Sequence, residues 1–295
     1  MDRIQRLALG SIVVGIAVLA LKYVAYVLTG SVALWSDAVE SVVNVATGIA
    51  ALLAVRLSAK PADAGHPYGH QKAEYFSAVF AGVLITIAAV TILHEAYLAF
   101  RTPKLLDLSW PGLAVNGAAS VLNAGWSWLL IRQGREHKSP ALAAEGRHLL
   151  TDVISSVSVL AGVTLAAVTG WPLLDPALAA LVALQILWAG WSVMKESLGG
   201  LMDEAVPPET LARIRELIAT NAEGAIEAHD LRTRHAGRMM FIDFHLVVTS
   251  TMTVSHAHDI CDRLERAIRE DYPDALISVH VEPDDKAKHA GIVVL

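Results

Sequence analysis

Six long apolar stretches constrain this chain more than any other feature. They run over roughly 8–29, 32–57, 76–100, 109–132, 141–169 and 173–197. A spanning helix needs about 20 predominantly apolar residues to cross a hydrocarbon core about 30 Å thick. Inside that core every backbone N–H and C=O must be paired within its own segment, and continuous apolar runs of this length do so as helices. The first stretch is too long for the core of a signal peptide, and no small-residue cleavage site follows it.

From about residue 203 the composition changes to that of an ordinary soluble domain. The overall values, 54% hydrophobic and 18% charged, average these two regimes, since a soluble domain is about 25% charged. The expected organisation is therefore a six-helix transmembrane bundle, residues 1–203, followed by a soluble domain, residues 204–295.

Lys and Arg near the span ends set the orientation. Arg3, Arg6, Arg56, Lys60, Lys72, Arg132, Arg135, Lys138 and Lys195 fall on one side, and only Arg101 and Lys104 on the other. Both termini, and the soluble tail, are predicted to face the cytoplasm. The single cysteine, Cys261, excludes a disulfide framework and a Cys-based zinc cluster. A net charge of −6 argues against a nucleic-acid binder. The chain has no G-x-S-x-G elbow, P-loop or dinucleotide fingerprint, and no His-Glu-x-x-His in the spans, so it is not read as an enzyme.

Ionisable residues inside membrane spans are costly and point to function by default. In span two, Asp37, Glu40 and Asn44 fall on one helical stripe; in span five, Glu145 precedes His148 and Asp152, which are i, i+4 neighbours. Two helices that each offer oxygen or nitrogen donors one turn apart can close a four-ligand cage around a divalent ion. The other account of the same pattern is a polar seam that glues helices together.

Between spans two and three, Asp63, His66 and His70 lie within eight residues, with Gly65 and Gly69 between them. This set suits zinc, and also reads as an ordinary polar loop. The tail reads as a helix (207–221), strands near 226–235 and 239–249, a helix (254–271) and a strand (275–282). That order predicts an α+β domain with helices on one face of a sheet. Its histidines, His229, His245, His256, His258 and His280, with Glu282, either converge on one or two metals or lie scattered on the surface.

Taken together, these residues resemble a known family. Thr29-Gly30-Ser31 leading into Asp37-xx-Glu40-xxx-Asn44, the His66-Pro-Tyr-Gly-His70-Gln-Lys72-Ala-Glu74 loop, His148-Leu-Leu-Thr-Asp152 and Ala228-His229-Asp230-Leu231-Arg232 are similar to the cation diffusion facilitators. The type is that of the bacterial YiiP-like zinc and iron exporters.

The resemblance implies a six-helix membrane domain, a cytoplasmic ferredoxin-like domain and a homodimer in the bacterial inner membrane. It also implies divalent metal/proton antiport by alternating access. By position, the transport site falls on Glu40, Asn44, His148 and Asp152, with Asp37 one turn away. The loop site falls on Asp63, His66 and His70, and a dimer-interface site on His229, His245, His258, His280 and Glu282. Lys72 and Asp203 match a salt-bridge pair that links domains and subunits.

Two departures stand out. Glu40 and Asn44 replace the carboxylates or histidine usual in the family, and Glu282 stands where the type has Asp. The expected cargo is Zn2+, which is also the expected tail ligand. Fe2+, Mn2+, Co2+ and Cd2+ are the alternatives, since oxygen donors with one imidazole accept them too. A membrane metal sensor without transport is the rival class; a pure sensor needs no charges at mid-membrane.

Overall fold

The apolar stretches fold as six helices: α1 (Arg3–Thr29), α2 (Val32–Ser58), α3 (Ala73–Arg101), α4 (Trp110–Glu136), α5 (Pro140–Thr169) and α6 (Leu174–Leu201). The structure is a computed structural model that describes residues 3–29, 32–101, 110–171, 173–289 and 291–293. The chain divides into two compact units, Met1–Leu198 and Gly199–Leu295.

In the first unit α1, α2, α4 and α5 share one apolar core, which includes Ala8, Leu52, Val55, Leu130, Leu142 and Leu149. Helices α3 and α6 pack through Ala78, Ile85, Ile186 and Val193, and Ala144 of α5 joins them. Helix α5 therefore touches both groups. Glycines allow the closest approach of α3 and α6. A Cβ at Gly190 would stand 2.8 Å from Thr86 Oγ1, and one at Gly82 would stand 2.6 Å from Met194 Cγ. Small residues at such a crossing are the usual way for membrane helices to gain packing contacts.

Polarity in this unit is inverted relative to a soluble protein. Val13, Leu53 and Trp188 are at least 60% exposed, whereas Ser41, Asn44, Thr47, Glu145, His148 and Asp152 are buried. In water this arrangement is costly; in lipid it is the low-energy one. Among the described residues, α1, α2, α3 and α6 each contain an apolar window long enough to cross a membrane.

The second unit contains α7 (Pro208–Asn221), β1 (Glu227–Ala236), β2 (Met239–Val248), α8 (Val254–Asp271), β3 (Ala275–Pro283) and a short β4 (Ile292–Val293). The sheet order is β3-β2-β1-β4, with β2 parallel to β3 and the other pairs antiparallel. Alternate β2 residues Met240, Ile242, Phe244, Leu246 and Val248 pack against Ile214 and Ile218 of α7 and Ile260, Leu264 and Ile268 of α8. Because side chains alternate along a strand, the odd-numbered residues of β2 point to the opposite, helix-free face. The α+β order expected from the sequence is present; β4 is an additional edge strand.

Candidate metal centres

At the centre of the helical unit, α2 and α5 bring Asn44 and Asp152 together. Asn44 Nδ2 donates to Asp152 Oδ2 at 2.5 Å, across 108 residues of sequence. With Asp152 ionised, the amide must turn its NH2 toward the carboxylate, which leaves its carbonyl oxygen to face inward. That Oδ1, and both ring nitrogens of His148, are buried without a hydrogen-bond partner among the described residues. His148 lies one turn from Asp152 on the same face and is 3% exposed. Buried polar atoms are nearly always partnered, so these three atoms beside the Asp152 carboxylate form a candidate site for a cation. Asp37 and Glu40 lie on α2, but their side chains fall outside the described residues.

The loop between α2 and α3 forms a second cluster. Asp63 Oδ1 accepts from the N–H groups of Gly65 and His66 at 2.9 and 2.8 Å. These backbone donors, His66 first, hold the Asp63 carboxyl below the ordinary carboxylate value. His66 Nδ1 lies 3.4 Å from Asp63 Oδ1, and His70 Nε2 lies 3.5 Å from Asp63 Oδ2. Gly69 has φ +87°, a left-handed conformation in which glycine carries no Cβ penalty. All three ligand atoms fall within 4.8 Å of one another. The two ends of the loop are tied by Glu74, which accepts from Ser58 Oγ at 2.8 Å and from Ser139 Oγ.

On the helix-free face of the tail sheet, the strand register sets three histidines in a row. His229 of β1 pairs with His245 of β2, which pairs with His280 of β3. Successive ring centroids are 5.3 and 4.9 Å apart. Glu282 is two residues beyond His280 and shares its face. Its carboxylate reaches His229 Nε2 at 3.2 Å, His245 Nδ1 at 3.1 Å and His280 Nε2 at 3.8 Å. Asp230, at φ +51° on a β-bulge, also lies within ligand distance of His229 and His245.

Residues 8–202 match the cation efflux transmembrane domain, and residues 206–284 match the cytoplasmic domain of cation efflux proteins. The chain belongs to the cation diffusion facilitator family. An uncharacterized transporter of Synechocystis sp. is 41% identical over 278 residues, covering 94% of this chain and 90% of the relative. The cation-efflux pump FieF of Citrobacter koseri is 30% identical over 284 residues, 95% of this chain and 93% of the pump. The zinc form of CzrB is 45% identical, covering 29% of this chain and 98% of that one, with a TM-score of 0.28.

As a cation diffusion facilitator the chain is an integral membrane transporter and not an enzyme. Within one such chain His258 stands apart from the histidine row. It lies on α8, exposed and 3.6 Å from Asp262, and α8 packs on the other face of the sheet. Lys72 sits in the turn before α3. Asp203, at φ +60°, accepts from Arg234 Nη1 at 3.1 Å.

Sequence reasoning missed Glu227. It is buried at 6% exposure and lies 3.1 Å from His229 Nδ1. It also accepts from the N–H groups of Lys288 and His289 at 2.6 and 3.0 Å. Those bonds, that from Lys288 first, hold its carboxyl below the ordinary value. Glu227 thereby fixes the ring of His229 with Nε2 toward Glu282, the kind of support that metal-binding histidines usually have. Its only sequence signal was the i−2 position to a strand histidine.

Proposed function

We propose that this chain exports zinc from the cytoplasm in exchange for protons by alternating access. The observation that supports this best is the buried convergence of Asn44, His148 and Asp152 from α2 and α5. Glu40 completes the set in this reading, and Asp37 adds negative charge nearby. With Glu40 and Asp152 ionised and His148 neutral, the site carries −2 and balances a divalent ion. Metal ligands must be deprotonated, so cation binding expels protons and protonation expels the cation. His148 is the proposed proton carrier, because an imidazole nitrogen holds either a proton or the metal.

The same reading assigns Asp63, His66 and His70 to a loop metal site at the cytoplasmic surface. His229, His245, His280 and Glu282 hold zinc in the tail, and His258 joins a contact between two copies in a homodimer. Zinc bound there would supply a cross-link that orders the tail. Imidazoles and carboxylates within a few ångströms of one another fit such an ion. The Lys and Arg distribution supports cytoplasmic termini in an inner membrane.

A second reading keeps the mechanism and changes the cargo. An oxygen-rich set with one imidazole also suits iron(II), manganese, cobalt or cadmium. Uptake of each ion by reconstituted protein, with and without a pH gradient, separates the two. Zinc uptake that outpaces the rest and depends on the gradient is the expected result. A preference for manganese or iron(II) would transfer the assignment to the second reading.

A further inference from the structure

One buried carboxylate in the helical unit is not used by this account. Glu145 of α5 is 2% exposed, with the Thr47 side chain of α2 as its hydrogen-bonding neighbour. It lies three residues before His148, on the same helical face, and on the side away from Asp152. Its Oε1 faces Gly48 of α2, one turn beyond Asn44. A Cβ at Gly48 would stand 3.5 Å from that oxygen and 3.5 Å from Ile12 of α1. Gly48 is therefore where the α2 backbone meets both Glu145 and Ile12 in the α1–α2–α5 interior.

Direction matters here. From Asn44, α2 runs through Gly48 to Ser58, and α5 begins at Pro140 just before Glu145. Glu74 ties these two ends together through Ser58 and Ser139. The Asp63–His66–His70 loop leaves from that same end. Glu145 therefore lies between the mouth that carries the loop cluster and the Asn44–His148–Asp152 set. An ionised carboxylate in a hydrocarbon setting is costly, and a carboxyl group placed there points to function by default. A divalent cation passing inward from the mouth offers a compensating charge.

We propose that Glu145 is a transfer ligand, which takes the divalent cation at the mouth side and hands it to His148 and Asp152. The proposal rests on the reading of those residues as the transport site. The carboxylate engages the cation before the cage does and is released once Asp152 and His148 hold it. Glu145 thus governs capture and not final affinity.

The test uses full-length protein in proteoliposomes, with zinc influx followed by an entrapped fluorescent indicator over a range of zinc concentrations. Glu145→Gln, which keeps shape and removes charge, is expected to raise the KM for zinc about tenfold and to leave the maximal rate nearly unchanged. Glu145→Asp keeps the charge and is expected to restore most of the lost KM. Calorimetric zinc affinity, in a background without the loop and tail clusters, is expected to be unchanged in Glu145→Gln and lost in Asp152→Ala. A wild-type KM in Glu145→Gln overturns the proposal. So does a Gln variant that performs better than the Asp variant, since that is the signature of space-filling. Loss of equilibrium binding in Glu145→Gln also overturns it, by making Glu145 a member of the cage. Normal transport by Asp152→Ala would instead remove the underlying transport site.

Discussion

Asn44 resolves an electrostatic problem that an aspartate at the same position would create. Two carboxylates at hydrogen-bond distance repel and cannot both ionise easily, whereas the amide donates to Asp152 at 2.5 Å. Substituting Asn44→Asp removes that donor and adds a negative charge, so the proposed transport site should bind zinc more tightly and with a steeper dependence on pH. Calorimetry at several pH values, with loop and tail clusters removed, checks this; parallel curves for variant and wild type would make Asn44 a purely structural bridge. Glu227 gives a second residue-scale prediction. Its carboxyl is held below the ordinary value, so its stabilising contribution is present above the ordinary glutamate value of about 4.3. That contribution fades as pH falls through the lowered value. Glu227→Gln should destabilise the tail by about 1–3 kcal/mol at neutral pH, and the gap should close under acid, as read by denaturant melts of residues 199–295. The donors on α2 and α5 were legible because membrane spans hold so few polar groups that helical spacing stands out. Glu227 was not legible, because two of its partners are backbone N–H groups 61 and 62 residues away.

At the scale of elements, α5 organises the helical unit. It packs with α1, α2 and α4 through Leu142 and Leu149, and with α3 and α6 through Ala144. Helix α3 also contacts α2, but α5 is the helix that joins both groups while carrying His148 and Asp152. The α3–α6 contact depends on Gly190, where a Cβ would also stand 3.2 Å from the Gly82 carbonyl oxygen. Gly190→Val should push these helices apart at a cost of about 1–3 kcal/mol. Thermal melts in detergent should then show a lower midpoint, and an unchanged midpoint would mean that the pair already has room. The six helices were legible from length and apolarity alone. In the tail, the helix and strand order followed from periodicity, while β4 did not. Its two residues, Ile292 and Val293, are too few to show alternation, and their pairing to Glu227 and Ala228 is purely tertiary.

For the whole molecule, the tail contributes a row of imidazoles paired with Glu282 and Glu227. If zinc there links two copies, it should increase the self-association of residues 199–295, which have their own core. Sedimentation with zinc and with chelator measures this, and His245→Ala should remove the difference. The same profile in both conditions would leave the histidines as surface residues. Transport itself belongs to the bundle, and its central claim is that one buried site serves both metal and protons. The most direct measurement is zinc influx into proteoliposomes under an imposed pH gradient, comparing wild type with Asp152→Ala. The account predicts influx that follows the gradient in the wild type and is absent in a folded, monodisperse variant. Wild-type influx in Asp152→Ala, or wild-type influx indifferent to the gradient, would contradict it.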